Sequence, residues 1–137
     1  MEAIAELHEL LEHHGHSLEV VNWSKNIVTG RSSRGQQVVN DQVSDCNALI
    51  AIFGLRFGSP TGHYDSGTEE EIINFLEARP TNSTTFDVHV FFNSSPVSNP
   101  LSIDPKQLEK VLAFRKQLQD RGLLITQFST IDRLKQL

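Results

Sequence analysis

The segment Asp65-Ser66-Gly67-Thr68-Glu69-Glu70-Glu71-Ile72 follows the stretch Phe57-Gly58-Ser59-Pro60 and precedes a run of helical apolar spacing. It places carboxylates in the first turn of a helix, beside a loop at a strand's end. Ligands of open α/β sheets settle outside the carboxyl ends of the strands, where helix N-termini offer free backbone N–H groups. A carboxylate held there can stabilise a developing cation or attack it covalently. Glu71 is the residue to explain, and it has a competing structural role. Thr68 followed three residues later by Glu71 reads as a capping box, contributing typically ~1 kcal/mol. Glu69 and Glu70 read most simply as first-turn acids that favour the positive end of the helix dipole.

The elements that position this segment are legible from periodicity. Ile4, Leu7, Leu11 and His14 fall at helical spacing over residues 2–14, and Gly15 supplies a stop. Leu18, Val20 and Val21 read as a short strand ending near Trp23, followed by a loop through Gly30 to Ser33. Val38, Val39, Gln42 and Val43 predict a helix capped by Ser32 or Ser33. The continuously apolar run Ala48-Leu49-Ile50-Ala51-Ile52-Phe53 predicts a central parallel strand covered on both faces. A loop over 55–67 dense in Gly, Pro and Ser leads to a helix from Glu69 to about Ala78.

Phe86, Val88, Val90, Phe91 and Phe92 form the next predicted strand, and Ser94 to Ser102 a polar loop. Asp104-Pro105 opens a helix with an apolar stripe of Leu108, Val111, Leu112 and Leu118, stopped by Gly122. Leu123 to Phe128 is a last strand and Thr130 to Leu137 a last short helix. Such alternation calls for a parallel sheet with right-handed crossovers and helices on both faces, over a single domain spanning 1–137. A doubly wound domain normally opens on a strand, whereas this chain opens on a helix. The expectation is therefore a missing first strand, with the domain a part of a larger protein and the open sheet position filled by more chain, a second chain or a rearranged strand order.

Composition narrows the function classes. A chain of 137 residues with 38% hydrophobic and 21% charged residues suits one globular core. Its net charge of −5 disfavours nucleic acid and anionic membrane as partners, because both need a basic footprint. The lone Cys46 gives no internal disulfide, fits a reducing compartment and reads as a buried small hydrophobe. No segment approaches the ~18 apolar residues of a membrane span, and the first residues do not form a basic leader. The expected location is the cytoplasm, so the sequons at Asn82 and Asn93 carry no meaning there. His8, His13, His14 and His16 crowd the first helix, but a regular helix does not bring His13, His14 and His8 to one ion, and no metal site is expected. No P-loop or Gly-x-Gly-x-x-Gly fingerprint is present.

Asp65-x-Gly67-x-x-x-Glu71 resembles the Asp-x-Gly-x-x-x-Glu signature of nucleoside 2-deoxyribosyltransferases, in which the glutamate acts at the sugar's anomeric carbon. The wider run from Asp45 through Phe53-Gly54-Leu55-Arg56-Phe57-Gly58-Ser59-Pro60-Thr61-Gly62, with Ser66 to Glu71, is more similar still to a bacterial TIR-like family often fused to STAND-type NTPases in anti-phage defence. Phe91 to Val97 looks like that family's fourth strand and following loop. The resemblance covers about residues 17–134 and implies a flavodoxin-like three-layer sandwich.

It further implies hydrolysis of the N-glycosidic bond of NAD, releasing nicotinamide, with NAD as substrate and no cofactor. Such cleavage passes through an oxocarbenium-like sugar, which Glu71 would stabilise or attack. Asp65 would hold a ribose hydroxyl or orient Glu71, Arg56 would pair with a phosphate and Trp23 would stack on a base. Ser66, Thr68, Phe57 and Gly58 complete the implied substrate-binding set. Each has a plain alternative: Asp65 as a turn residue, Arg56 as a solvated strand-end cation, Trp23 as core. The resemblance also implies a homo-oligomer or fusion to a STAND-type sensor module. Two other functions stay open, deoxyribose transfer between bases and a non-catalytic assembly module.

Overall fold

The structure is a computed structural model, and it describes residues 35–78 and 87–136 together with positions 12, 15, 17 and 19–21. Its elements in chain order are α1 (Gly35–Ser44), β1 (Ala48–Phe53), α2 (Gly67–Glu77), β2 (Asp87–Asn93), a 3-10 turn (Pro100–Ser102), α3 (Pro105–Asp120), β3 (Ile125–Phe128) and α4 (Ile131–Lys135). The three strands form one parallel sheet in the order β1-β2-β3. Its register runs from Ala48↔Asp87 to Phe53↔Phe92 and from Val90↔Ile125 to Asn93↔Phe128. This is the α/β architecture the alternation predicts, consistent with a flavodoxin-like arrangement.

Local chemistry sets the helix limits. Asp104 caps α3 by accepting hydrogen bonds from the amides of Lys106 at 3.0 Å and Gln107 at 3.3 Å, and Pro105 follows where its missing N–H costs nothing. The chain leaves α3 through Gly122 at φ +82°, a left-handed conformation that glycine adopts without a Cβ clash. Gly15, the stop expected for the opening helix, has φ +75° and donates its amide to the Glu12 carbonyl at 3.0 Å. The rest of that helix, the Ser32 or Ser33 cap, Leu18 and Trp23 lie outside the described residues.

Two expectations about the sheet are corrected. Glu19, Val20 and Val21 belong to no strand, and Val20 and Val21 are partly exposed. Strand β1 is an edge strand among the described residues rather than a central one, and its burial alternates. Ala51 and Phe53 are buried, whereas Ile50 and Ile52 are 64% and 53% exposed. The reason is topological: successive β-α-β units that advance in one direction, each with the usual hand, put both connecting helices on one face. Ile72 and Ile73 of α2 and Val111, Phe114 and Leu118 of α3 accordingly join Ala51, Phe53, Val90 and Phe92 in a single core. A ring cluster anchors it, with Phe53 5.2 Å from Phe92, 5.6 Å from Phe114 and 5.8 Å from Phe57.

Candidate functional site

The loop after β1 and the first turn of α2 form the site. Ser66 is the N-cap of α2, in extended backbone at φ −155°, and its Oγ accepts the Glu69 amide at 3.3 Å. Glu69 Oε2 in turn accepts the Asp65 amide at 2.9 Å. The capping interaction therefore runs between Ser66 and Glu69, reaching back to the residue before the cap. It does not run between Thr68 and Glu71. The helix starts earlier than its side chains suggest because Gly67, its first residue, carries no side chain to mark it. Glu71 takes no part in this capping box and is half-buried.

Glu70 is the buried acid of the segment, at 2% exposure. Asn40 of α1 donates its Nδ2 to Glu70 Oε1 at 2.8 Å, and Thr61 donates its hydroxyl to Oε2. Glu70 is a first-turn acid of α2, as expected, and its one carboxylate also fastens α1, α2 and the 59–65 loop. A buried carboxylate persists only when its oxygens are satisfied. Truncating it leaves the Asn40 and Thr61 donors without this acceptor, so Glu70→Ala is expected to lower stability by about 1–3 kcal/mol in urea unfolding.

The Glu69 carboxyl is pushed above its ordinary value of 4.5, chiefly by burial. Repulsion from Asp65 adds to this, whereas the Asp65 and Ser66 amides and Lys110 oppose it. A carboxyl raised in the folded state binds its proton more tightly than in the unfolded chain. Its stabilising contribution is therefore full below the unfolded value and is lost as pH rises through the folded one. Wild type is expected to be more stable relative to Glu69→Gln below pH 4.5 than at neutral pH, as read by paired melts across that range.

The other expected residues divide between surface and core. Asp65 is exposed and its carboxylate lies 3.1 Å from Lys110 Nζ, an exposed pair of small energetic weight. Arg56 is exposed, whereas the Phe57 ring is buried between Phe53 and Phe114. Gly58 runs at φ +117°, and a Cβ there would stand 3.5 Å from that of Ser66, so the loop is closely seated on the helix start. Gln107 of α3 accepts the Phe57 and Gly58 amides at 2.8 and 3.0 Å and donates to the Gly58 carbonyl at 3.2 Å.

The fold thus brings Asp65, Ser66, Thr68 and Glu71 to one helix start, with Gly58 against it. Phe57 is placed in the core, and Trp23 lies outside the described residues. A groove between α1 and α2 is lined by Asn40, Asp41, His63, Tyr64 and Glu70 among others. A second depression is lined by Pro60, Gly62, His63, Tyr64, Asp65 and Glu69. Glu71 lines neither. Asn40, Thr61 and Gln107 escape a sequence reading because their partners are far along the chain. Glu70 had a usable signal: it lies one turn before Ile73, on the side of α2 that is buried. Cys46 is half-buried, its thiol 3.4 Å from the Gln42 carbonyl. Among the described residues, no group of three or more His, Cys, Asp or Glu side chains could hold a metal ion. None of their helices is long and apolar enough to cross a membrane.

Fold and site together define a parallel α/β domain with a carboxylate-rich helix start at the carboxyl end of its first described strand. The chain belongs to the family described as "Domain of unknown function (DUF4062)", which it matches over residues 2–137. No curated protein and no solved structure is matched by this chain. Membership supplies a family and no activity.

Proposed function

We propose that the domain cleaves the N-glycosidic bond of NAD, releasing nicotinamide, with Glu71 as the group that meets the oxocarbenium-like sugar. The observation that carries this reading is the run from Asp65 through the N-cap Ser66 and first-turn Thr68 to Glu71, which opens the second turn of α2, after the carboxyl end of β1. The capping duty falls to Ser66 and Glu69, which leaves Glu71 out of that box. Asp65 is near enough to the helix start to hold a ribose hydroxyl, and the exposed Arg56 sits upstream in the same loop to meet a phosphate. In the setting implied by the resemblance, this is a cytoplasmic effector of bacterial immunity, acting as a homo-oligomer or fused to a STAND-type sensor.

One observation favours a second reading, a non-catalytic assembly module. Much of the polar machinery is occupied by the fold itself: Gln107 takes the Phe57 and Gly58 amides, Lys110 faces Asp65, and Asn40 and Thr61 hold Glu70. Incubating concentrated full-length chain with NAD and following nicotinamide release separates the two. Release supports the enzyme, and absence of release from folded protein, with no deoxyribose exchange between added nucleosides and bases, selects the module.

A further inference from the structure

Helix α3 grips the loop after β1 by its backbone. Gln107 Oε1 accepts the Phe57 and Gly58 amides at 2.8 and 3.0 Å, and Nε2 donates to the Gly58 carbonyl at 3.2 Å. A single carboxamide thus uses its oxygen twice and its nitrogen once on consecutive residues of the loop. Gln107 is itself placed, because it lies in the first turn of α3 and donates its own amide to the capping Asp104 at 3.3 Å. Lys110 follows three residues later, on the same side of the helix, with its Nζ 3.1 Å from the Asp65 carboxylate. The two grips are unequal. The Lys110–Asp65 pair is exposed and screened by water, whereas Gln107 holds the main chain directly beside the buried Phe57 ring. Arg56, exposed, stands one residue before this held point.

We infer that Gln107 is a positioning residue that fixes Arg56 and thereby sets a preference for NAD over nicotinamide riboside, which carries the same glycosidic bond and no phosphate. The inference rests on reading Arg56 as the phosphate partner in the proposed reaction. Pairing of a guanidinium with a phosphate is directional, so it depends on where the arginine's backbone stands. Carried on a held backbone, Arg56 loses only its own rotamer freedom when it meets the phosphate. On a released loop it loses backbone freedom as well, and that loss weakens binding. Glu71 lies apart from this effect, because it sits on α2, whose cap rests on Ser66 and Glu69. Release of the loop should therefore appear in KM for NAD rather than in kcat.

The test compares the full chain as wild type, Gln107→Ala and Gln107→Glu. Gln107 is half-buried and alanine suits a helix, so the first variant keeps the fold. Glutamate keeps an acceptor for the Phe57 and Gly58 amides and is favoured in a first turn. Amide exchange followed by NMR reads the grip: in Gln107→Ala the Phe57 and Gly58 amides are expected to exchange about tenfold faster, with Leu118 in α3 as the unmoved control. In Gln107→Glu they are expected to stay near the wild-type rate. Nicotinamide release from NAD and from nicotinamide riboside reads the consequence. KM for NAD should rise about fivefold in Gln107→Ala with kcat little changed, and the ratio of kcat/KM for NAD to that for the riboside should fall by about the same factor. Faster exchange with an unmoved ratio overturns this inference alone. Unaltered exchange at Phe57 and Gly58 also overturns it, since Gln107 then holds nothing. Absence of release from both compounds by folded wild type overturns the reading of the reaction, and this inference with it.

Discussion

Phe53→Ala is expected to lower stability by about 3–5 kcal/mol, the usual loss for a fully buried phenylalanine. Phe53 is 2% exposed and is the ring on which the others converge, with Phe92, Phe57 and Phe114 all within 5.8 Å of its centroid. Those three rings come from β2, from the loop after β1 and from α3, so a cavity at Phe53 loosens every layer of the core at once. A small domain has about 5–15 kcal/mol in total, so the variant should unfold at far lower urea and show a populated unfolded fraction near physiological temperature. Leu112→Ala is the matched control: 52% exposed on a helix that tolerates alanine, it should fall within about 0.5 kcal/mol of wild type. Urea melts of the two variants side by side give the contrast, and a small loss at Phe53 would mean the ring cluster is not the anchor.

The same residues show where sequence reasoning reaches and where it stops. Helix α3 was legible almost to the residue, because Asp104-Pro105 and Gly122 are chemical punctuation whose effect is local. Strand β1 was legible in extent, Ala48 to Phe53, but not in environment. A run of six apolar residues says that the strand tolerates burial on both sides; it does not say whether the covering layer comes from a crossover helix or from elsewhere. Topology decides that, and topology places α2 and α3 on one side. At the site, the side-chain pattern places the helix start two residues late. Gly67 is silent to a side-chain pattern, and Thr68 with Glu71 offered a spacing that Ser66 with Glu69 also satisfies. The tie of Glu70 to Asn40 and Thr61 was beyond reach for a different reason: it joins elements whose proximity is set by the packing of α1 on α2. The loop between β1 and α2 is thereby locked from two sides, by Glu70 and by Gln107, which is the kind of frame that positioned chemistry requires.

That frame makes Glu71→Gln a clean discriminator. Glutamine keeps the shape of the side chain, and the cap of α2 rests on Ser66 and Glu69, so the substitution leaves that cap in place. It removes the negative charge. If Glu71 meets an oxocarbenium-like transition state, nicotinamide release should fall by a factor on the order of a hundred or more, because each ~1.4 kcal/mol of lost stabilisation is tenfold in rate. Glu69→Gln, the same chemistry two residues earlier, supplies the comparison. As a partner in the capping box it should shift the melt and its pH dependence while leaving most of the turnover in place. A thermal melt and a nicotinamide-release assay on wild type and both variants read the two effects separately. Turnover that survives Glu71→Gln but is lost in Glu69→Gln would transfer the catalytic role to Glu69, beside Asp65. Turnover unchanged in both would detach the reaction from this helix start altogether.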